Sequence, residues 1–171
     1  MADPAIPTYL NQIREMLANH AAFRTWLGVA TAALARARIH LHSLRTEEGG
    51  TPPTKPYVML TEPQEGPHDR ASVAVGTNIV TAKRAAILIC NSVPAEYLGN
   101  DLTAANQAIN ESDAFEQMLI DVQATDIGTG YATVFINGSP RCIQKAAFNN
   151  PEKPTFWTSR WEVESGVGEG E

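Results

Sequence analysis

Six consecutive residues, Ala85-Ala86-Ile87-Leu88-Ile89-Cys90, carry no charged or strongly polar side chain, and they follow directly on Lys83 and Arg84. Side chains on a strand point alternately to its two faces, so an unbroken apolar run predicts a central strand covered on both sides. The same run at a sheet edge would invite aggregation, which predicts that Ile87, Leu88 and Ile89 are almost fully buried. The rest of the chain must supply the sheet around this strand and the layers that cover it.

Tyr9, Leu10, Ile13, Met16 and Leu17 recur at helical spacing, with Asn11, Gln12, Arg14 and Glu15 opposite, which predicts an amphipathic helix over 8–19. Residues 21–27 continue as a short helical segment stopped by Gly28, with Phe23 and Trp26 on one face. Residues 31–37 are Ala-rich and suit a helix. Strands are expected over 38–45, 57–61 and 72–75. A Gly/Pro break at 49–53 and a polar loop at 63–71 separate them. The loops at 47–55 and 63–71 are expected to be mobile in an isolated subunit and ordered by neighbours in an assembly.

Residues 101–123 form the second main helical region. Leu102, Ala105 and Ile109 give one apolar stripe, and Phe115, Met118, Leu119 and Val122 give another. Asn110-Glu111-Ser112-Asp113 interrupts the pattern, and Asp113 with Glu116 has capping-box spacing, so a kink or two helices are expected. Residues 131–136 and 141–148 read as a hairpin around an Asn137-Gly138-Ser139-Pro140 turn. In the last strand, 156–164, Trp157, Trp161 and Val163 face one way, and Thr158, Arg160, Glu162 and Glu164 face the other.

The order helix, strands, helix, strands, without βαβ alternation, specifies an α+β fold: a mainly antiparallel sheet with two main helices packed on one face. The 171 residues suit a single domain, 1–165, followed by a flexible acidic tail, 166–171.

Charge and composition narrow the function. Hydrophobic residues at 43% and charged residues at 19% place the chain among globular proteins. The net charge is −6, and Glu162, Glu164, Glu169 and Glu171 carry four of those charges, so the body is close to neutral. No basic stripe is present of the kind that neutralises phosphates. Arg36, Arg38 and Arg45 come nearest and suit a solvated face. No run approaches the ~18 apolar residues of a membrane span. The N-terminus lacks the charged and apolar regions of a signal peptide, so Cys90 and Cys142 are expected to be free thiols in a reducing cytoplasm.

No catalytic, cofactor or metal constellation stands out. His40 and His42 share a strand face, but no Cys, Asp or Glu stands at ligand spacing beside them. His20 stands apart, and His68 lies in the polar loop. Cys90 closes an apolar strand and reads as a buried thiol; Cys142 follows Arg141 and is no stronger a nucleophile. Gly128-Thr129-Gly130 lacks the Gly-Lys-Ser/Thr of a phosphate cradle. Glu162 and Glu164 are paired carboxylates on a strand face rather than in a cleft. Phe156, Trp157 and Trp161 form an aromatic cluster whose first reading is core packing and whose second is an interface.

Four segments in order carry a resemblance. They are the helix ending in Phe23-Arg24-Thr25-Trp26-Leu27-Gly28, the strand Pro56-Tyr57-Val58-Met59-Leu60, the strand Ala86-Ile87-Leu88-Ile89 leading to a long helix, and the closing strand from Trp157 to Val163. In this order, over most of the chain, the sequence resembles the tail-terminator and tail-completion (head–tail joining) proteins of tailed bacteriophages. The resemblance implies a structural virion protein without enzyme activity or cofactor, made in the host cytoplasm. It implies a homo-oligomeric ring, commonly a hexamer, that caps the tail tube and joins it to neck and connector proteins, while DNA passes without specific binding. The Ala-rich stretch at 29–37 and the loop at 63–71 depart from that pattern. A small cytoplasmic binding or adaptor module is the alternative, and a small hydrolase acting through His40, His42 or Cys90 is a further one.

Overall fold

The computed structural model describes residues 8–41, 53–61, 73–75, 78–123 and 134–168. Three short helices open the chain: α1 (Thr8–Asn19), α2 (Ala21–Leu27) and α3 (Ala32–Arg36). Strands β1 (Ile39–Leu41), β2 (Tyr57–Thr61), β3 (Val73–Val75) and β4 (Asn78–Ser92) follow. After a 3₁₀ turn at Ala95–Tyr97 come α4 (Asp101–Gln123), β5 (Val134–Phe148) and β6 (Phe156–Gly168). The strands form one sheet in the order β1-β2-β4-β6-β5, with β3 beside the start of β4. Among the described residues, β1 and β2 pair in parallel and the other pairings are antiparallel. This is the α+β fold with a mainly antiparallel sheet that the order of elements specified.

Register sorts the strand residues onto two faces. Ile87 pairs with both Leu60 and Trp161, and Ile89 with both Val58 and Ser159. These residues, with Ile39, Ala85, Trp157 and Val163, are buried in a single core against α1, α2 and α4. From α1 come Leu10, Ile13, Met16 and Leu17; from α4 come Ala104, Ala108, Phe115, Leu119 and Val122. Phe23 and Trp26 of α2 both meet the ring of Phe115, which in turn lies 5.2 Å from Trp161 between ring centroids. Offset or tilted contacts of this kind add to what area burial contributes.

Local signals act where they were read. Gly28 adopts φ 68°, and the N–H groups of Gly28 and Val29 return to the carbonyls of Thr25 and Arg24, the Schellman closure that a left-handed residue permits. Arg24 caps α1 by donating to the Asn19 carbonyl at 2.7 Å. Arg36 of α3 grips Glu15 of α1 with two bonds of 2.6 Å.

Four expectations are corrected. First, α4 is one unbroken helix of 23 residues. Ser112 does not break it, because its hydroxyl donates to the Ala108 carbonyl at 2.8 Å inside the helix. Asp113 and Glu116 do not form a capping box; both carboxylates face Lys145 of β5. Second, 137–140 is not a hairpin turn. β5 runs through it as one strand on β6, and the four residues between Ile136 and Arg141 stand opposite the single Val163 between Glu164 and Glu162, so the Asn-Gly-Ser-Pro insert is a bulge. The reason is that β6 is long enough to pair with both halves. Third, β6 does not stop at Glu164. Gly166, Val167 and Gly168 pair with Ala82, Thr81 and Val80, since β4 extends far enough to offer them partners, so the first part of the supposed tail is strand. Fourth, Arg38 is a turn residue rather than strand, so β1 begins at Ile39; residues 42–45 of the strand expected over 38–45 lie outside the described residues. So do 49–52, the loop 63–71, 131–133, and Glu169 and Glu171.

The central run behaves differently on its two sides. Ala85, Ile87 and Ile89 are fully buried beneath the helices. On the other side Ala86 and Cys90 are covered but Leu88 is only half-buried, against the expectation of full burial. Among the described residues no helix packs on that side. There the small Ala86 and Cys90 are hidden, while the larger Leu88 keeps partial contact with solvent.

Candidate functional site

The bare face of the sheet carries His40, Tyr57, Met59, Leu88, Cys90 and Phe156 as a half-apolar strip. Tyr57 stands beside Cys90 on the neighbouring strand, and burial, followed by their mutual hydrogen bond, pushes its phenol well above the ordinary range. The His40 ring meets Tyr57 edge-on at 5.7 Å. Lys55 places its ammonium 4.8 Å from the centre of the Phe156 ring, a cation–π contact.

Beside this strip lies a charged group. Glu162 accepts from Arg84 at 2.8 Å and from Arg141 at 3.2 Å. Arg160 occupies the next position on the same face of β6, and its Nε is shielded from water with no acceptor among the described residues. Glu162 and Glu164, expected as paired carboxylates, do share a face, but Glu162 is a strut between two guanidinium groups rather than a proton carrier in a cleft.

Both cysteine thiols are pushed above their ordinary range. Burial raises the Cys90 thiol, outweighing the Tyr57 hydrogen bond and Lys55, which act the other way. Burial, reinforced by Glu116, also raises Cys142. A nucleophilic thiol needs the opposite shift. Burial lowers His20, against the field of Asp121, and lowers His40, with Arg38 acting in the same direction. His42, His68, Arg45 and Gly128-Thr129-Gly130 lie outside the described residues. Among the described residues no group of three or more His, Cys, Asp or Glu is placed to hold a metal, and no helix is long and apolar enough to cross a membrane.

Trp157 and Trp161 are fully buried, so these two members of the aromatic cluster are core, while Phe156 lies half-buried on the other face of the sheet. Ser159 sits between the two tryptophans on the same face and was not singled out by any sequence signal. Its hydroxyl accepts from the Ala146 N–H at 2.7 Å and lies 2.6 Å from the Ser112 hydroxyl. Ser112 spends its single proton on Ala108, so Ser159 must donate to it, and the chain of bonds runs one way from β5 through β6 into α4. Ala146 is held at φ 49°, a left-handed conformation unusual for alanine, at a register shift of β5. The Ser159 hydroxyl stabilises that bend.

The second surface is the outer side of α4. Leu102 is 73% exposed, Ile109 41% and Ile120 45%. Spacings of 7 and 18 residues place them within ~20° of one line along the helix. The stripe expected from Leu102, Ala105 and Ile109 is therefore real but faces solvent, while Ala104, Ala108, Ser112, Phe115 and Leu119 face the core. The small residues of the true core stripe contribute little to a hydrophobic pattern, which is why it escapes notice. α4 carries Asp101, Glu111, Asp113, Glu116 and Asp121 and neither Lys nor Arg. Near its first turns, Asn106, Gln107, Asn110 and Glu111 line a shallow groove with Tyr97.

No family model matches the chain, and neither a curated protein nor a solved structure matches it.

Proposed function

We propose that this chain is a structural subunit that assembles into a homo-oligomeric ring, and that the ring is a tail terminator or completion piece. It would cap the tail tube of a tailed bacteriophage and join it to the neck. One observation supports the self-assembly: among the described residues no helix covers the second side of the sheet, where Tyr57, Met59, Leu88 and Phe156 are half-buried, and α4 exposes Leu102, Ile109 and Ile120 to solvent. A chain with two such surfaces leaves apolar area in water unless another surface covers it. The tail-terminator identity rests on the resemblance in the order of its helices and strands. The raised thiols of Cys90 and Cys142 favour a structural role over a cysteine hydrolase.

Within this reading the near-neutral body lets DNA slide. Duplex DNA presents one negative charge per ~1.7 Å, and a basic lumen would hold it by counterion release. Light scattering coupled to size exclusion, with negative-stain microscopy of the same fractions, is the test. Closed rings of uniform size are the expected result, and a monomer at every concentration overturns the proposal. A filter-binding titration should find no duplex binding at physiological salt; submicromolar affinity would replace the conduit with a nucleic-acid-binding role.

A further inference from the structure

Two hydroxyl groups, on Ser112 and Ser159, are fully buried where α4 packs on β6. A buried hydrogen bond adds little net stability over a well-packed apolar pair, and the clearest use of such a group is to specify one arrangement against another. Here the arrangement is the register of β5 on β6. From Cys142 to Ala147, β5 advances five residues while β6 advances three, from Trp161 to Thr158. One surplus residue falls between Cys142 and Gln144, the other between Gln144 and Ala147. A single surplus residue turns every later side chain to the opposite face, and a second turns it back. Cys142 and Phe148 therefore both pack against the core, opposite Trp161 and Trp157, and Lys145 between them reaches Asp113 and Glu116 of α4. The strain falls on Ala146, held left-handed at φ 49°, and its N–H is the one that the Ser159 hydroxyl accepts.

We propose that β5 has a second register on β6, free of these two bulges, and that the Ser112–Ser159 pair is the lock that selects the observed one. In the second register the pairing of Arg141 with Glu162 and of Cys142 with Trp161 continues unbroken. That sets Gln144 opposite Ser159, Lys145 opposite Thr158 and Ala146 opposite Trp157. Ala146 returns to ordinary extended backbone, and the interrupted ladder is regular again. Against this, the Ala146–Ser159 hydrogen bond is lost and Phe148 leaves Trp157. Lys145 turns to the face of Thr158 and Arg160, away from Asp113 and Glu116. Ser112 gives the lock its direction: its own proton goes to Ala108, so it holds the Ser159 proton and leaves the Ser159 lone pairs for the Ala146 N–H. Among the described strands β5 is the outermost, so a slide breaks one ladder only. The slide is a switch that frees two carboxylates on α4 and presents Lys145 on the opposite side of the sheet. It is independent of whether copies form a ring.

Disulfide trapping across the two strands tests it, in the full chain carrying Cys142→Ser so that the one other native thiol is the buried Cys90. Ala147→Cys with Thr158→Cys marks the observed register, and Lys145→Cys with Thr158→Cys marks the second. Residues directly opposite lie within disulfide reach, whereas in the observed register Lys145 and Thr158 point to opposite faces. In a glutathione redox buffer, peptide mass spectrometry reads which bridge forms. With Ser159 in place the first pair should bridge readily and the second slowly. Ser159→Ala should raise bridging of the second pair roughly tenfold, the response to losing one buried hydrogen bond. Adding Ala146→Gly, which accepts a left-handed backbone without strain, should bring it back down. Should Ser159→Ala fail to fold, Ala146→Val carries the same test, because a β-branched side chain resists the left-handed conformation and leaves both hydroxyls in place. Unchanged bridging of the second pair in the substituted chain overturns the proposal. So does a rise that Ala146→Gly fails to reverse, since that is general loosening rather than release of a strained bulge.

Discussion

The two faces of the sheet share the same six strands but bury their residues differently. On the covered face, Ile87, Ile89, Trp157 and Trp161 lose all contact with water. On the bare face, Leu88, Met59 and Tyr57 are half-buried, although they come from the same strands and are similarly apolar. The helices make the difference, since α1, α2 and α4 all deliver their apolar stripes to one side. The chain's stability therefore resides mainly on the covered side, while among the described residues no helix packs on the other.

The largest expected effect would break the comparison outright. Trp161→Ala should cost about 3–5 kcal/mol, because it empties the contact with Phe115. On neighbouring residues of β4, Ile87→Ala should cost about 2–5 kcal/mol and Leu88→Ala roughly half as much, since Leu88 has less surface to return to water. Denaturant melts of the pair measure the contrast directly. Equal losses would mean that the second face is covered as fully as the first.

Next in size is the polar pin under the covered face. Ser112→Ala leaves the buried Ser159 proton without its acceptor and should cost about 1–3 kcal/mol. A double-mutant cycle with Ser159→Ala should show the two residues coupled, and additive losses would rule out the one-way chain of bonds.

The Glu15–Arg36 bridge sharpens the comparison by pH. Glu15 is 8% exposed, and the Arg36 hydrogen bond, outweighing burial, holds its carboxyl below the ordinary range. A lowered folded-state pKa means that the folded protein binds fewer protons. Its contribution is therefore present above the ordinary carboxylate value of ~4.3 and lost as pH falls through the folded-state value. Arg36→Ala should flatten that acid limb of the stability profile. An unchanged limb would assign it to other carboxylates.

Removal of 166–171 should lower the melt modestly, through the backbone pairs of Gly166, Val167 and Gly168 with β4, each worth about 0.5–1.5 kcal/mol at most. An unchanged melt would return these residues to the role of a loose tail. Smallest of all, Leu102→Ala should shift the monomer's stability by less than ~0.5 kcal/mol, because nothing within the subunit covers that side chain.

Much of this was legible along the chain. The α1 stripe, the stop at Gly28, the strand at 57–61 and the alternation of Trp157, Trp161 and Val163 against Arg160 and Glu162 all follow from local periodicity. The α+β class followed from their order. The two surfaces were not legible as surfaces. Leu102 and Ile109 looked like core because periodicity shows that a helix side is apolar, not where that side points. Asp113 and Glu116 looked like a cap because their partner, Lys145, is far along the chain.

The sequence by itself determined which segments are helix and strand and which of their sides are apolar, because those properties arise from contacts between near neighbours. Tertiary structure alone decided that 137–140 bulges within a strand, that Leu88 meets solvent while Ile87 does not, and that α4 turns Ala104 and Ala108 inward. Those outcomes depend on residues distant in sequence meeting in space: Ser112 stays in an unbroken helix, its hydroxyl taking up Ser159 from 47 residues further on, which no local pattern of the chain encodes.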